Sequence, residues 1–287
     1  MRLIAGAYPA APPESADQAA FLSRLTESDL IGGLELPFID DEERWLAGAL
    51  PTEWRHVVTA APVTGIRSRN DPAYGLASTD PAGRREAVAV TRSIRDAIER
   101  SGLTVAAIEL QSAPSRTGTP EALAESLSEI ADWDWSGAAI LLEHCDAVMA
   151  GHEPEKGFLA LADELSVARD LGLGVVINWA RSVIETRSPE GAVAHVREAG
   201  ELLSGLIFSG VADVPLNGHS AWVDAHLPPA PIEPASLLTA EHIARTRAAG
   251  RPDVLLGAKV RAGTADRSPK QRAESVLEAL HLVITSA

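Results

Sequence analysis

The feature that most constrains this chain is a repeated alternation. Eight short, almost wholly apolar runs recur along it, each followed by a longer stretch with helical spacing. The runs fall at 3–7, 33–37, 56–60, 105–110, 138–143, 174–178, 205–209 and 254–259. A strand that is apolar at nearly every position must be covered on both faces, as in a parallel sheet packed between helices. Eight such strand–helix units predict an α/β chain forming a single closed (β/α)8 TIM barrel, one domain over residues 1–287. The competing open, doubly wound sheet often carries a glycine-rich turn after its first strand; here that turn reads AGAYPAAPPES and lacks the G-x-G-x-x-G spacing.

Four helix starts are written explicitly. Asp80-Pro81, Thr119-Pro120, Ser188-Pro189 and Ser268-Pro269 each set a capping side chain before a proline. The cap can accept from an orphan amide, and proline suits the first helical position because its missing N–H costs nothing there. After the first start, Val90, Ile94, Ala97 and Ile98 share one face, with Gly102 positioned to end the helix. Gly172 and Gly250 stand where two further helices should stop, each shortly before a strand.

Composition narrows the partners. A formal charge of −15 argues against nucleic acid, whose phosphates draw most of their affinity from lysine and arginine. No apolar run reaches membrane-spanning length. The opening MRLIAGAYPAA reads as a first buried strand rather than a signal peptide, because a regular α/β pattern follows it. The lone Cys145 cannot form an internal bridge, which suits a reducing cytoplasm. Oligomeric state is left open.

In a barrel of this kind, chemistry gathers at the C-terminal ends of the strands, where loops vary without disturbing the core. Those ends carry Tyr8, Glu35, Thr59, Glu109 with Gln111, Glu143 with His144, Asn178 with Arg181, Ser209 and Lys259. Three glutamates ending three strands should crowd like charge into one concavity, raising carboxyl pKa values or recruiting a cation. Either result serves proton transfer next to a hydroxyl or carbonyl. Lys259 is one of only three lysines, with Lys156 and Lys270, so a lysine at a strand end can neutralise the glutamates, hold an anion or form a Schiff base. Its plainest role is a salt bridge to Glu143 or Glu35.

Two long connections leave the same face. One, after the third strand, carries Arg67, Arg69, Asn70 and Tyr74; the other, at 211–234, carries Asn217, His219, Trp222, Asp224 and His226. Connections this long are expected to be lids or binding loops. The second should fold over the mouth and bring His219 or Trp222 toward it. His219 and the Asp224/His226 pair could act as metal ligands or general bases, and Trp222 or Tyr74 could stack on a sugar ring.

At GLELPF, AILLEHCDA and GVVINWARS the chain resembles the xylose-isomerase-like TIM barrels, a superfamily of sugar isomerases, sugar-phosphate epimerases and endonuclease IV, and within it an uncharacterised bacterial branch. The resemblance implies a metal site with a glutamate from strand five, an aspartate from six, a histidine near seven and a glutamate from eight. Glu143 matches the first; Asn178, Ser209 and Lys259 stand at or near the others. If a divalent metal is present, Glu143 and His219 would be its ligands, but the set is incomplete and no cofactor is expected. The expected activity is that of a sugar isomerase, epimerase or lyase on a small polyhydroxylated sugar, sugar acid or sugar phosphate. Glu143 and Glu109 would serve as acid and base, Lys259 or Arg181 as electrostatic clamp and His219 as a third catalytic group. Tyr8, Glu35, Gln111, His144, Asn178, Arg181 and Trp222 would bind substrate. Two alternatives stay open: an inert barrel binding a sugar-like ligand or a protein, and a metal-assisted hydrolase using His219, Asp224 and His226.

Overall fold

The computed structural model describes residues 2–39, 50–262 and 268–286. Eight parallel strands close into a barrel in chain order: β1 (Leu3–Gly6), β2 (Ile31–Pro37), β3 (His56–Thr59), β4 (Val105–Leu110), β5 (Ala139–Glu143), β6 (Gly174–Asn178), β7 (Leu203–Phe208) and β8 (Leu255–Lys259). β8 pairs back onto β1, with Gly6 opposite Lys259. The expected (β/α)8 barrel is therefore present, and each expected run lies on its strand to within about two residues at either end, the usual uncertainty of such boundaries.

Nine α-helices lie among the described residues: α1 (Ser15–Thr26), α2 (Ala61–Asn70), α3 (Pro81–Ser101), α4 (Pro120–Ala131), α5 (Leu161–Leu171), α6 (Trp179–Thr186), α7 (Pro189–Ala199), α8 (Ala240–Ala249) and α9 (Pro269–Thr285). All four written starts are used. Asp80 accepts from the amides of Ala82 and Gly83, Thr119 from Ala122 and Ser188 from Glu190, while Ser268 and Gln271 form a capping box. Gly102 and Gly172 end α3 and α5 in the left-handed conformation that glycine tolerates. Gly250 ends α8 in an extended conformation.

One connection differs from expectation. The segment after β3 opens with α2, which has no side-chain cap at Ala60 and buries only Val63 and Thr64. Without a cap or an apolar stripe, the sequence offers no helical signal there.

Side-chain alternation organises the barrel interior in layers. Ile4, Val57, Ala107, Leu141, Val176 and Ile207 fill it, with Leu255 packed against them. Two residues further along six of these strands stand Gly6, Thr59, Glu109, Glu143, Asn178 and Ser209, joined by Glu35 of β2 and Lys259 of β8. The apolar plug thus passes directly into a polar layer at the C-terminal mouth. A much larger apolar shell fills the space between sheet and helices.

Candidate active site at the barrel mouth

The polar layer is a chain of alternating charge. Lys259 Nζ lies 2.5 Å from Glu35 Oε1 and 3.5 Å from Glu143 Oε1. Arg181 Nη1, from the first turn of α6, lies 2.7 Å from the same Glu143 oxygen. On its other side Arg181 Nε meets Asp224 Oδ2 at 3.0 Å, and Lys156 Nζ meets that oxygen at 3.2 Å. The chain ends on Glu155, whose carboxylate lies 3.6 Å from Lys156 and accepts from the Asp224 amide at 2.7 Å. Gln111 Nε2 donates to the second oxygen of Glu143 at 3.0 Å.

Room for this chain is made at Gly6. A β-carbon there would stand 2.7 Å from Lys259 Cβ and 2.8 Å from Glu35 Oε2, closer than side chains pack. Tyr8 closes over the pair, with Lys259 Nζ 5.8 Å from its ring centre and the His226 ring edge-on to it at 6.3 Å. Burial keeps the Tyr8 phenol protonated, raising it above its ordinary range.

Burial and neighbours set the protonation states. Burial disfavours charge on Lys259, but Glu143 and Glu35 outweigh it and hold the ammonium. Burial also opposes the Glu143 carboxylate, yet Arg181 and Lys259 pull it down to about 2. Asp224 stays well below the usual carboxylate range because His226, Lys156 and Arg181 overcome its burial. Glu35 is raised by burial in spite of Lys259.

Glu109 stands apart. Among the described residues no ion pair reaches it; burial and then the repulsion of Glu143 and Glu35 raise it well above the ordinary range. Its Oε2 is buried without a hydrogen-bond partner, as are Glu35 Oε2, Gln111 Oε1 and Asn178 Nδ2 among the described residues. Asn178 has only half of its amide free: Oδ1 caps α6 by accepting from Ala180 N at 3.1 Å. Lys259 Nζ is held by Glu35 and Glu143, and since an ammonium has three donors at least one N–H remains for a ligand. Buried polar groups are normally paired, so a concentration of unpaired ones marks a place where a polar ligand would fit. A cavity of about 370 Å³ opens against Tyr8 and Glu35, between β2 and α1. Grooves of about 450 Å³ elsewhere lie along the outer helices, away from the C-terminal strand ends.

Eight of the residues expected at the mouth thus meet there: Tyr8, Glu35, Glu109, Gln111, Glu143, Asn178, Arg181 and Lys259. Three do not. His144 follows Glu143 directly, so alternation turns it outward into the helix layer. There its Nδ1 meets Glu164 at 2.6 Å and its Nε2 meets Glu185 at 3.0 Å. Burial disfavours an imidazolium at this position, but the two carboxylates outweigh it and raise His144 to about 10. His219 is exposed at the tip of a tight turn closed by Leu216 and His219 amide–carbonyl bonds of 3.0 Å. Trp222 stacks under the Arg187 guanidinium, 5.0 Å from its ring centre. The loop instead brings Asp224 and His226, and His226 Nδ1 lies 3.1 Å from both Asp224 Oδ1 and Ser209 Oγ. The trio His219, Asp224 and His226 expected for a hydrolase is not assembled. Lys156 and Glu155 are mouth residues that sequence reasoning passed over, although the rarity of lysine, the signal used for Lys259, applied equally to Lys156.

A divalent metal wants several anionic oxygens and is repelled by an adjacent ammonium. At the four positions where the resemblance implied metal ligands this chain has Glu143, the α6-capping Asn178, Ser209 and Lys259, with Arg181 against the same glutamate oxygen. These donors do not fit such an ion.

The sequence profile of a family described as a domain of unknown function (DUF4862) matches residues 4–275. An uncharacterised protein of Salmonella typhimurium, STM3670, is 37% identical, the match covering 88% of this chain and 86% of that one. Among solved structures the barrel is similar to D-psicose 3-epimerase, with a TM-score of 0.57, 14% identity and coverage of 95% and 93% of the two chains. It is also similar to a sugar phosphate isomerase/epimerase from Parabacteroides distasonis, with a TM-score of 0.58, 14% identity and coverage of 99% and 94%. A xylose isomerase domain-containing protein of Salmonella typhimurium gives 0.60 at 11% identity, over 99% and 97%. At such identities the likeness is one of fold, that of the xylose-isomerase-like TIM barrels. No described helix is long and apolar enough to cross a membrane.

Proposed function

The chain belongs to the family described as a domain of unknown function (DUF4862), and from that premise we propose that it is a metal-independent sugar isomerase- or epimerase-like enzyme. Its substrate would be a small polyhydroxylated carbonyl compound bound at the C-terminal mouth. The observation that carries this reading is Glu109: a buried, unpaired carboxyl with a raised pKa, in the same layer as a fixed pair of cations. A carboxyl group lifted above its ordinary range is suited to exchanging a proton with the carbon beside a carbonyl. Its ionised form takes the proton and its acid form returns it.

The negative charge that develops on the carbonyl oxygen then needs a preorganised partner. Lys259 supplies it, with a donor left beyond its contacts to Glu35 and Glu143, and Arg181 adds positive charge alongside. Glu143, held ionised at about 2, is too weak a base to compete for the proton; its part is to hold both cations in place. The unpaired acceptors Glu35 Oε2 and Gln111 Oε1 and the unpaired donor Asn178 Nδ2 suit substrate hydroxyls. Mouth side chains are almost wholly buried, so the substrate reaches them only when Tyr8 or the Asp224 loop moves.

The test is proton exchange. Ketoses, aldoses, sugar acids and sugar phosphates are incubated with the protein and a chelator in D2O and followed by NMR. At least one compound is expected to gain deuterium beside its carbonyl, and Glu109→Gln should slow this by about 10²- to 10⁴-fold. An inert ligand-binding barrel would give binding without exchange, and exchange abolished by the chelator would overturn the metal-free reading.

A further inference from the structure

Behind the mouth, on the outer face of the β5 end, lies a second buried cluster that the proposed reaction does not use. His144 follows β5, Glu164 comes from α5, Ser182 and Glu185 from α6 and His195 from α7. Four elements converge on it, and all five side chains are buried.

The cluster is short of positive charge. It holds two carboxyl groups, and among the described residues their ion pairs run only to His144 and His195. No lysine or arginine joins them there. A proton on His144 supplies one charge of the two, whereas a divalent ion supplies both, and buried charges are found paired or bound to metal.

Its geometry is that of a ligand set. His144 Nε2 lies 3.0 Å from Glu185 Oε2, and His195 Nε2 lies 3.5 Å from Glu185 Oε1. One ligand atom from each of the three residues falls within 4.8 Å of the other two. Ligand atoms bound tetrahedrally to zinc at about 2.0–2.2 Å stand roughly 3.3 Å from one another, so small side-chain shifts suffice.

The remaining ring nitrogens are already oriented. His144 Nδ1 lies 2.6 Å from Glu164 Oε2, and Glu164 Oε1 accepts from Ser112 Oγ at 2.5 Å. His195 Nδ1 lies 3.0 Å from Ser182 Oγ. Metal-binding histidines are held in just this way by a carboxylate or hydroxyl behind the ring.

We propose that His144 Nε2, Glu185 and His195 Nε2 bind one divalent transition-metal ion of the zinc class, oriented by Glu164 and Ser182. A water completes the fourth position, and the ion ties α6 and α7 to the end of β5. The site is separate from the mouth, and its occupancy does not depend on the proposed reaction.

The experiment uses the full-length protein after chelator treatment. Cobalt(II) is titrated and followed by its visible d–d absorption, and zinc(II) by competition with a chromogenic chelator. One equivalent with a tetrahedral cobalt spectrum is expected, lost in His195→Ala, weakened by about 10- to 100-fold in Ser182→Ala and unchanged in His219→Ala. Should His195→Ala fail to fold, zinc-edge X-ray absorption on the wild-type protein must show two imidazole ligands. No binding in the wild type, binding undiminished in a folded His195→Ala, or a spectrum without imidazole each overturns the proposal.

Discussion

Glu143 and His144 are neighbours in sequence and sit in two unlike buried polar regions. On the inner side of β5, Glu143 belongs to a run of alternating charges surrounded by unpaired polar atoms. On the outer side, His144 sits in a network where, among the described residues, no side-chain atom is buried without a hydrogen-bond partner. The inner region sets three cations between four carboxyl groups along its chain, and it is unsatisfied in hydrogen bonds. The outer one is satisfied in hydrogen bonds and short of positive charge. An unmet hydrogen bond suits a polar organic ligand, and an unmet charge suits a proton or an ion.

Breaking the inner region should cost most. Lys259→Ala leaves Glu35 and Glu143 buried with less compensation, and a loss of about 3–5 kcal/mol is expected in urea denaturation. Adding Glu35→Gln should recover part of it; a double variant no better than the single one would mean that the pair is not coupled.

On the outer side, in the metal-free protein, His144→Gln removes charge-assisted contacts to Glu164 and Glu185, for an expected loss of about 1.5–3 kcal/mol at pH 7. The pH profile sharpens the contrast. His144 is raised when folded, to about 10, so its contribution is fully present below histidine's ordinary pKa and is lost as pH rises through 10. Glu143 is depressed when folded, to about 2, so its contribution is present above the ordinary carboxylate range and is lost as pH falls toward 2. Thermal melts should therefore show His144→Gln flattening the alkaline limb and Glu143→Gln the acid limb. Both variants affecting the same limb would refute the assignment.

Glu109→Gln should act in the opposite sense to the other inner substitutions. Because the folded state raises this carboxyl, it holds a proton that the unfolded chain gives up, and stability drains away as pH rises through the raised value. The glutamine variant should match the wild type near pH 4 and exceed it at neutral or higher pH, measured by melting temperature. A variant less stable at every pH would show that the carboxyl carries an attractive partner.

The smallest effect is expected at the outer edge. Ser112→Ala removes one hydroxyl from Glu164 and should cost about 1–2 kcal/mol, with the pH profile otherwise kept.

Sequence by itself determined the barrel, because strands covered on both faces must be apolar throughout and eight such runs admit few arrangements. It also located most of the mouth, since a polar residue closing an apolar run marks the point where a strand leaves the core: Glu35, Glu109, Glu143 and Lys259 were all legible in this way. Only the tertiary structure decided which side each neighbour takes. A one-residue step reverses direction in a strand, and that step separates His144 from Glu143. The helix after β3 was hidden because it carries neither a side-chain cap nor an apolar stripe. Asp224 and Lys156, 68 residues apart, meet at the mouth because two separate loops converge there, and no local pattern encodes that meeting. His219, the more conspicuous histidine by sequence, ends in solvent because Leu216 and His219 close a tight turn that carries it out, while His226 turns inward to Ser209.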